Sequence, residues 1–163
     1  MTDLPALLEQ VRFAVFDFDG VFTDNRVWVN EQGEEALAFS RSDGLGLRRL
    51  EQVGVHPLIV SMERNPIVSA RADKLRIDCV QGVEDKLAVL HERTGGLGVA
   101  LEHTAYVGND INDADCLRAV GVPVVPADAW PEVKPLARWV LSRAGGTGCV
   151  REFCDAVWEA QRS

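Results

Sequence analysis

Short apolar runs alternate with amphipathic stretches along most of the chain. Runs near 13–18, 56–60, 78–80, 104–107, 122–125 and 138–141 are rich in Val, Ile, Leu, Phe and Ala and short enough to predict strands. Between them, apolar residues recur at helical spacing near 44–53, 65–75, 84–93, 112–119 and 149–160, with a shorter stretch near 131–135. Strands with continuous apolar cores, separated by helices, predict an α/β fold: a Rossmann-like parallel sheet flanked by helices on both faces. Neither a repeat nor a linker divides residues 1–163, so the pattern predicts a single domain with no separate cap. In such sheets ligands bind beyond the carboxyl ends of the strands.

One segment breaks the alternation. Arg26–Asn30, the turn Glu31-Gln32-Gly33 and Glu34–Phe39 predict a β-hairpin flap over about 24–40. Val27 and Val29 alternate with Trp28, so both faces of the flap are apolar. That predicts packing on a second subunit; the alternative is a flap folded onto its own sheet. The Gly145–Gly148 run opens a C-terminal segment over about 145–163 and reads equally as a flexible tail or as a loop before the last helix.

Charge narrows the partners. A formal net charge of -8 disfavours nucleic acid and anionic membranes, which both need a basic face. No run approaches the roughly 18 apolar residues of a membrane span. Met1–Pro5 lacks a basic, signal-like start, so a cytoplasmic location is expected. Cys79, Cys116, Cys149 and Cys154 form no C-x-x-C pair and read as reduced thiols. The three histidines lack zinc-ligand spacing.

The candidate chemistry starts at the end of the first strand, in Phe13–Asp24. Asp17 and Asp19 are spaced i, i+2 and begin on one face, and Gly20 follows at once. Two acids at the end of an apolar strand are costly unless a cation or proton shares the site. Asp17 suits a nucleophile that forms an aspartyl-phosphate, and Asp19 an acid/base. Backbone N–H groups around Phe18–Gly20 are placed to cradle phosphate oxygens. Ser61 ends another strand with a hydroxyl donor, and Lys86 opens a helix with a cation. Gly108-Asn109-Asp110-Ile111-Asn112-Asp113 ends a third strand with oxygen donors suited to Mg²⁺.

In this order, D-x-D-G-V-x-T-D, the strand-end Ser61, Lys86 and G-N-D-x-N-D resemble the four motifs of the haloacid dehalogenase superfamily. Over nearly its whole length the chain is similar to the capless sugar-acid phosphatases, which include octulosonate 8-phosphate and nonulosonate 9-phosphate phosphatases and the phosphatase-like domain of some sialic-acid cytidylyltransferases. The resemblance implies Asp17 as nucleophile, Asp19 as acid/base and Ser61 and Lys86 on the phosphate. It implies Mg²⁺ held by Asp17, the Asp19 carbonyl and the fourth motif (Asn109, Asp110, Asp113). It also implies a homotetramer acting on a small sugar-acid phosphate.

Asn109 stands where many relatives have Asp, which implies a weaker grip on Mg²⁺. Ser42, Met62-Glu63 with Arg64 one step on, and Thr147 depart from the octulosonate pattern and favour a nine-carbon substrate over an eight-carbon one. Two other readings compete. One is a phosphatase-like module that has lost activity and serves oligomerisation or regulation, left open by Asn109. The other is a receiver-type domain, disfavoured because the D-x-D pair comes first in the chain.

Overall fold

All four residues of the first strand, β1 (Phe13–Phe16), are buried, because each face of the strand meets its own hydrophobic core. Phe13 and Val15 enter one core and Ala14 and Phe16 the other, as the two-residue period of a strand requires. The computed structural model, which describes residues 3–163, sets β1 inside a six-stranded sheet. The other strands are β4 (His56–Val60), β5 (Asp78–Val80), β6 (Thr104–Val107), β7 (Val122–Val125) and β8 (Trp139–Val140). Their order is β5-β4-β1-β6-β7-β8, and every pairing is parallel. The expected sheet is therefore present, with β1 flanked by β4 and β6.

Helices α1 (Leu4–Glu9), α2 (Ser42–Gln52), α3 (Ile67–Leu75) and α6 (Cys149–Ala160) bury apolar residues in the core on one face. Helices α4 (Lys86–Leu97) and α5 (Ala114–Ala119) cover the other. Helix α1 has no counterpart in the sequence expectation, since its six residues are too few to show a period. The helix expected over 112–119 is a 3-10 turn, Ile111–Asp113, running into α5. The stretch near 131–135 is only a 3-10 turn at Lys134–Leu136, where Pro135 removes a backbone donor. All four cysteines are unpaired; Cys116, Cys149 and Cys154 are buried and Cys79 is half-buried.

The hairpin is present but short: β2 (Trp28–Val29) pairs antiparallel with β3 (Glu35–Ala36). It does not fold down on its own sheet. Val27, Trp28 and Val29 are 50%, 75% and 58% exposed. The Gly145–Gly148 run is a packed loop rather than a free tail. Gly145 N–H donates to Asp128 at 2.9 Å and Gly146 N–H to the Val21 carbonyl at 3.1 Å, so the run clasps the turn after β1.

Asp43 joins α2 to α6. Its Oδ1 accepts the Arg151 N–H at 3.2 Å, in the first turn of α6, where no N-cap side chain serves. Burial pushes the Asp43 carboxyl up to about 6, against the pull of the Arg151 N–H and of the Arg71 and Arg151 cations. A carboxyl raised in the folded state costs stability when ionised. The cost is absent below the ordinary value near 3.8 and complete above about 6. Asp43→Asn keeps the acceptor without the charge. It is expected to unfold at higher urea near pH 8, by about 1–3 kcal/mol, with the gain vanishing as pH falls towards 4. Equal stability of the two proteins near pH 8 would contradict this.

Candidate active site

The ladder between β1 and β6 runs one residue past the strand, through the Asp17 N–H bond to the Val107 carbonyl at 2.9 Å. That bond holds Asp17 at the carboxyl end of the sheet. The chain then turns: Val21 and Phe22 N–H groups both reach the Phe18 carbonyl. Gly20 sits at φ +82°, and a Cβ there would overlap the Asn109 side chain. Only glycine lets the β1 turn and the loop after β6 approach this closely.

The phosphate cradle expected at Phe18–Gly20 is narrower than predicted. Phe18 N–H donates to Asp17 Oδ1 at 2.7 Å and Gly20 N–H to Thr23 Oγ1 at 3.1 Å. Among the described residues the Asp19 N–H has no such acceptor and remains for a ligand. The Phe18 ring is buried, stacked on Phe22 and close to Phe39.

Lys86 begins α4, whose N-terminus is capped by Asp85 accepting from Ala88 N–H at 2.9 Å. The placement drives its side chain beneath the sheet's edge, where it is buried. Lys86 Nζ lies 2.7 Å from Asp17 Oδ1 and 2.8 Å from Asp113 Oδ1. Burial works against the ammonium, but Asp17 and Asp113 outweigh it and raise its pKa. Burial, reinforced by Asp113, pushes Asp17 up to about 8 despite the pull of Lys86. With both carboxylates ionised the trio carries one excess negative charge, which a proton on Asp17 removes. Asp19 is also held above the ordinary carboxyl range, first by burial and then by Glu63.

Asp113 differs from the metal ligand expected at its position. Oδ1 accepts Lys86 Nζ and the Tyr106 hydroxyl (2.7 Å), and Oδ2 accepts the N–H groups of Asn109 (2.9 Å) and Asp110 (3.3 Å). Four protein donors account for both of its oxygens. A Cβ at Gly108 would come within 2.6 Å of Asp113, so this glycine makes room for the carboxylate.

Asn109 faces the D-x-D turn. One end of its side-chain amide lies 3.2 Å from Asp17 Oδ2 and 2.9 Å from the Asp19 carbonyl oxygen. With NH₂ at that end, the amide donates to both. With oxygen there, three oxygens converge and repel one another unless a cation lies between them. Among the described residues no three His, Cys, Asp or Glu side chains cluster as ligands. The converging set is instead one carboxylate, one carbonyl and one amide, hard oxygen donors that fit Mg²⁺. Trp130 contributes from its backbone, donating to the Asn109 carbonyl at 2.9 Å, while the residue as a whole is 53% exposed. One oxygen of Asp110 caps Ile111 N–H at 2.7 Å.

A cavity of about 430 Å³ opens over Asp17 and Asn109, whereas Phe18, Gly20, Lys86 and Asp113 are not among its lining residues. Asp17, Asp19, Ser61, Met62, Glu63, Arg64, Asn109 and Asp110 all line it, as do Asn25 and Asn112. Ser61 Oγ accepts Glu63 N–H at 3.1 Å, which leaves its own proton free to donate. Glu63 Oε1 accepts from Arg64 and Asn65 N–H groups. Asn25 and Tyr106 were not picked out from the sequence. Asn25 follows the D-x-D-G-V-x-T-D motif directly, a usable signal, whereas Tyr106 reads as a plain core aromatic.

No protein-family model matches the chain. A curated 3-deoxy-D-manno-octulosonate 8-phosphate phosphatase from Yersinia pestis is 38% identical over 152 residues, covering 93% of this chain and 81% of the relative. The crystal structure of the phosphatase of that name from Yersinia pestis aligns with a TM-score of 0.95 at 36% identity, over 99% of this chain and 88% of that one. The Moraxella catarrhalis phosphatase, solved in complex with a magnesium ion, a phosphate ion and a KDO molecule, aligns with a TM-score of 0.94 at 31% identity. Coverage there is 99% of this chain and 94% of that one.

Proposed function

The chain belongs to the haloacid dehalogenase superfamily, among relatives of the 3-deoxy-D-manno-octulosonate 8-phosphate phosphatases, and is a phosphoric monoester hydrolase; we propose that its substrate is a sugar-acid phosphate, cleaved with Mg²⁺ through an aspartyl-phosphate on Asp17. The observation that carries the reading is the Lys86–Asp17 contact at 2.7 Å, at the floor of a polar cavity. It fixes the Asp17 carboxylate at the cavity wall and sets beside it a cation able to offset the charge of a phosphate.

Asp17 attacks phosphorus as the bond from phosphorus to the sugar oxygen breaks. Asp19, whose environment favours its protonated form, gives the leaving oxygen its proton. It then takes a proton from water, which attacks phosphorus and frees Asp17. The Ser61 hydroxyl and the Asp19 N–H hold phosphate oxygens, and Lys86 supports them from below. When bound, Mg²⁺ held by Asp17, the Asp19 carbonyl and Asn109, with Asp110 close by, supplies the charge that offsets repulsion between carboxylate and phosphate.

The test is phosphate release from a panel of sugar phosphates, with Asp17→Asn as control. The relatives' names rank the eight-carbon 8-phosphate first. Of the departures that favour the nine-carbon 9-phosphate, Met62, Glu63 and Arg64 line the cavity, whereas Ser42 and Thr147 do not. If neither is hydrolysed while an unrelated sugar phosphate is, the sugar-acid part of the reading fails.

Asn109→Asp adds a charge to the converging oxygens. Half-saturating Mg²⁺ is expected to fall several-fold, both in turnover and in calorimetric binding to the protein. An unchanged Mg²⁺ requirement would show that Asn109 does not hold the ion. A second reading, a phosphatase-like module without activity, is favoured by one observation. With its NH₂ turned inward, Asn109 closes the site by hydrogen bonds alone.

The exposed Val27, Trp28 and Val29 support a homotetramer built on the hairpin. Trp28→Asp is expected to dissociate it, read by sedimentation. A monomeric parent chain, or a variant that stays assembled, would count against this.

A further inference from the structure

We propose that Tyr106 is a positioning residue of the active site: its hydroxyl fixes Asp113, and through Asp113 sets where the Lys86 ammonium stands against Asp17. The inference rests on the phosphatase reading above and extends it to a side chain that does not line the cavity.

Tyr106 is fully buried in β6, paired with Val15 of β1 on one side and Pro123 of β7 on the other. Its ring belongs to the core covered by α4 and α5, where phenylalanine would pack as well. Packing therefore does not explain the hydroxyl, and a buried hydroxyl is costly unless it finds a partner. It finds Asp113 Oδ1 at 2.7 Å, and that same oxygen accepts Lys86 Nζ at 2.8 Å. Lys86 Nζ in turn stands 2.7 Å from Asp17 Oδ1. Tyr106, Asp113, Lys86 and Asp17 form an unbroken chain from the core to the cavity floor.

The hydroxyl satisfies part of Asp113 Oδ1 and leaves Lys86 shared between two carboxylates. Without it, the Asp113 oxygen keeps Lys86 as its only donor and draws the ammonium away from Asp17. Burial first, and then Asp113, hold the Tyr106 hydroxyl well above its ordinary range, so it stays a donor. No proton transfer is assigned to it. A misplaced charge lowers the chemical step more than it lowers substrate binding, because the charge is needed most as the phosphoryl group transfers.

Tyr106→Phe tests this with p-nitrophenyl phosphate and Mg²⁺. The expected result is a fall in kcat of roughly 10- to 100-fold with KM nearly unchanged, as for a charge displaced by a fraction of an ångström. In an Asp113→Asn background the same change should cost no further activity. Unchanged kcat, or an equal fractional loss in both backgrounds, would overturn the role. A second measurement needs neither turnover nor the double variant: the Lys86 ¹⁵Nζ resonance, expected to move in Tyr106→Phe. If that signal stays put, the proposal fails. If it moves while the parent chain hydrolyses nothing, the coupling to Lys86 stands and the phosphatase reading falls.

Discussion

Asp17→Asn is expected to release phosphate about 10⁴-fold or more slowly than the parent chain, the scale of losing a nucleophile. Asparagine has the same shape, so Phe18 N–H keeps an acceptor where Asp17 Oδ1 stood. What it cannot do is form a covalent bond to phosphorus as a carboxylate does, and no neighbouring carboxylate is placed to substitute. Asp113 is closed off by four donors, and the role proposed for Asp19 is that of acid/base. The fold should survive, because the buried trio loses one of its two negative charges and becomes a neutral Lys86–Asp113 pair. Phosphate release and thermal unfolding measured together separate the two effects. Equal release by variant and parent would sink the aspartyl-phosphate mechanism.

Lys86→Met carries the largest expected cost in stability. It leaves the Asp17 and Asp113 carboxylates buried around a vacated position, each having lost a contact of 2.7 or 2.8 Å. Removing one partner from a buried charge network typically costs about 3–5 kcal/mol. One carboxylate escapes by taking a proton, and Asp17, already pushed up to about 8, is the better placed to do so. The loss should therefore be larger near pH 9, where Lys86 offsets an ionised Asp17 in the parent, than near pH 6, where Asp17 holds a proton with or without the lysine. Urea unfolding at the two pH values checks both magnitude and direction. A loss below about 1 kcal/mol, typical of an exposed ion pair, would mean that Lys86 is not the buried counter-ion described. Activity should fall as well, but the stability measurement does not depend on knowing the substrate.

Much of the architecture could be read from periodicity alone. Residues 56–60, 78–80, 104–107, 122–125 and 149–160 form the elements their apolar spacing predicts, at the same bounds. The failures share a cause. Helix α1 and the turn at Lys134–Leu136 are too short for a period to emerge, and they take their form from packing. The flap was legible as a hairpin, but its exposure on both faces is a property of where the chain leaves it.

For the site, sequence order and residue type were enough to nominate Asp17, Asp19, Ser61, Lys86 and Asn109, because each stands at the end of a strand or the start of a helix. Sequence spacing cannot say which of two acids meets a cation and which meets four protein donors. Asp110 and Asp113 looked equivalent; the 3-10 turn between them points one at the cavity and buries the other. Tyr106 was invisible for the same reason, since an apolar strand containing one tyrosine looks like any core strand.

The sequence by itself determined the strand ends, the alternation and the kinds of group gathered at one edge, because these follow from local periods of two and 3.6 residues. Only the tertiary structure decided how residues 17, 86, 106, 109 and 113 divide the work. Their contacts arise because β6 lies beside β1 and Lys86 at the start of α4 reaches the residues that follow both, an arrangement no local period specifies. Distances of 2.7 to 2.9 Å within that arrangement seat Lys86 against Asp17, and Asp113 against the Tyr106 hydroxyl and the Asn109 N–H.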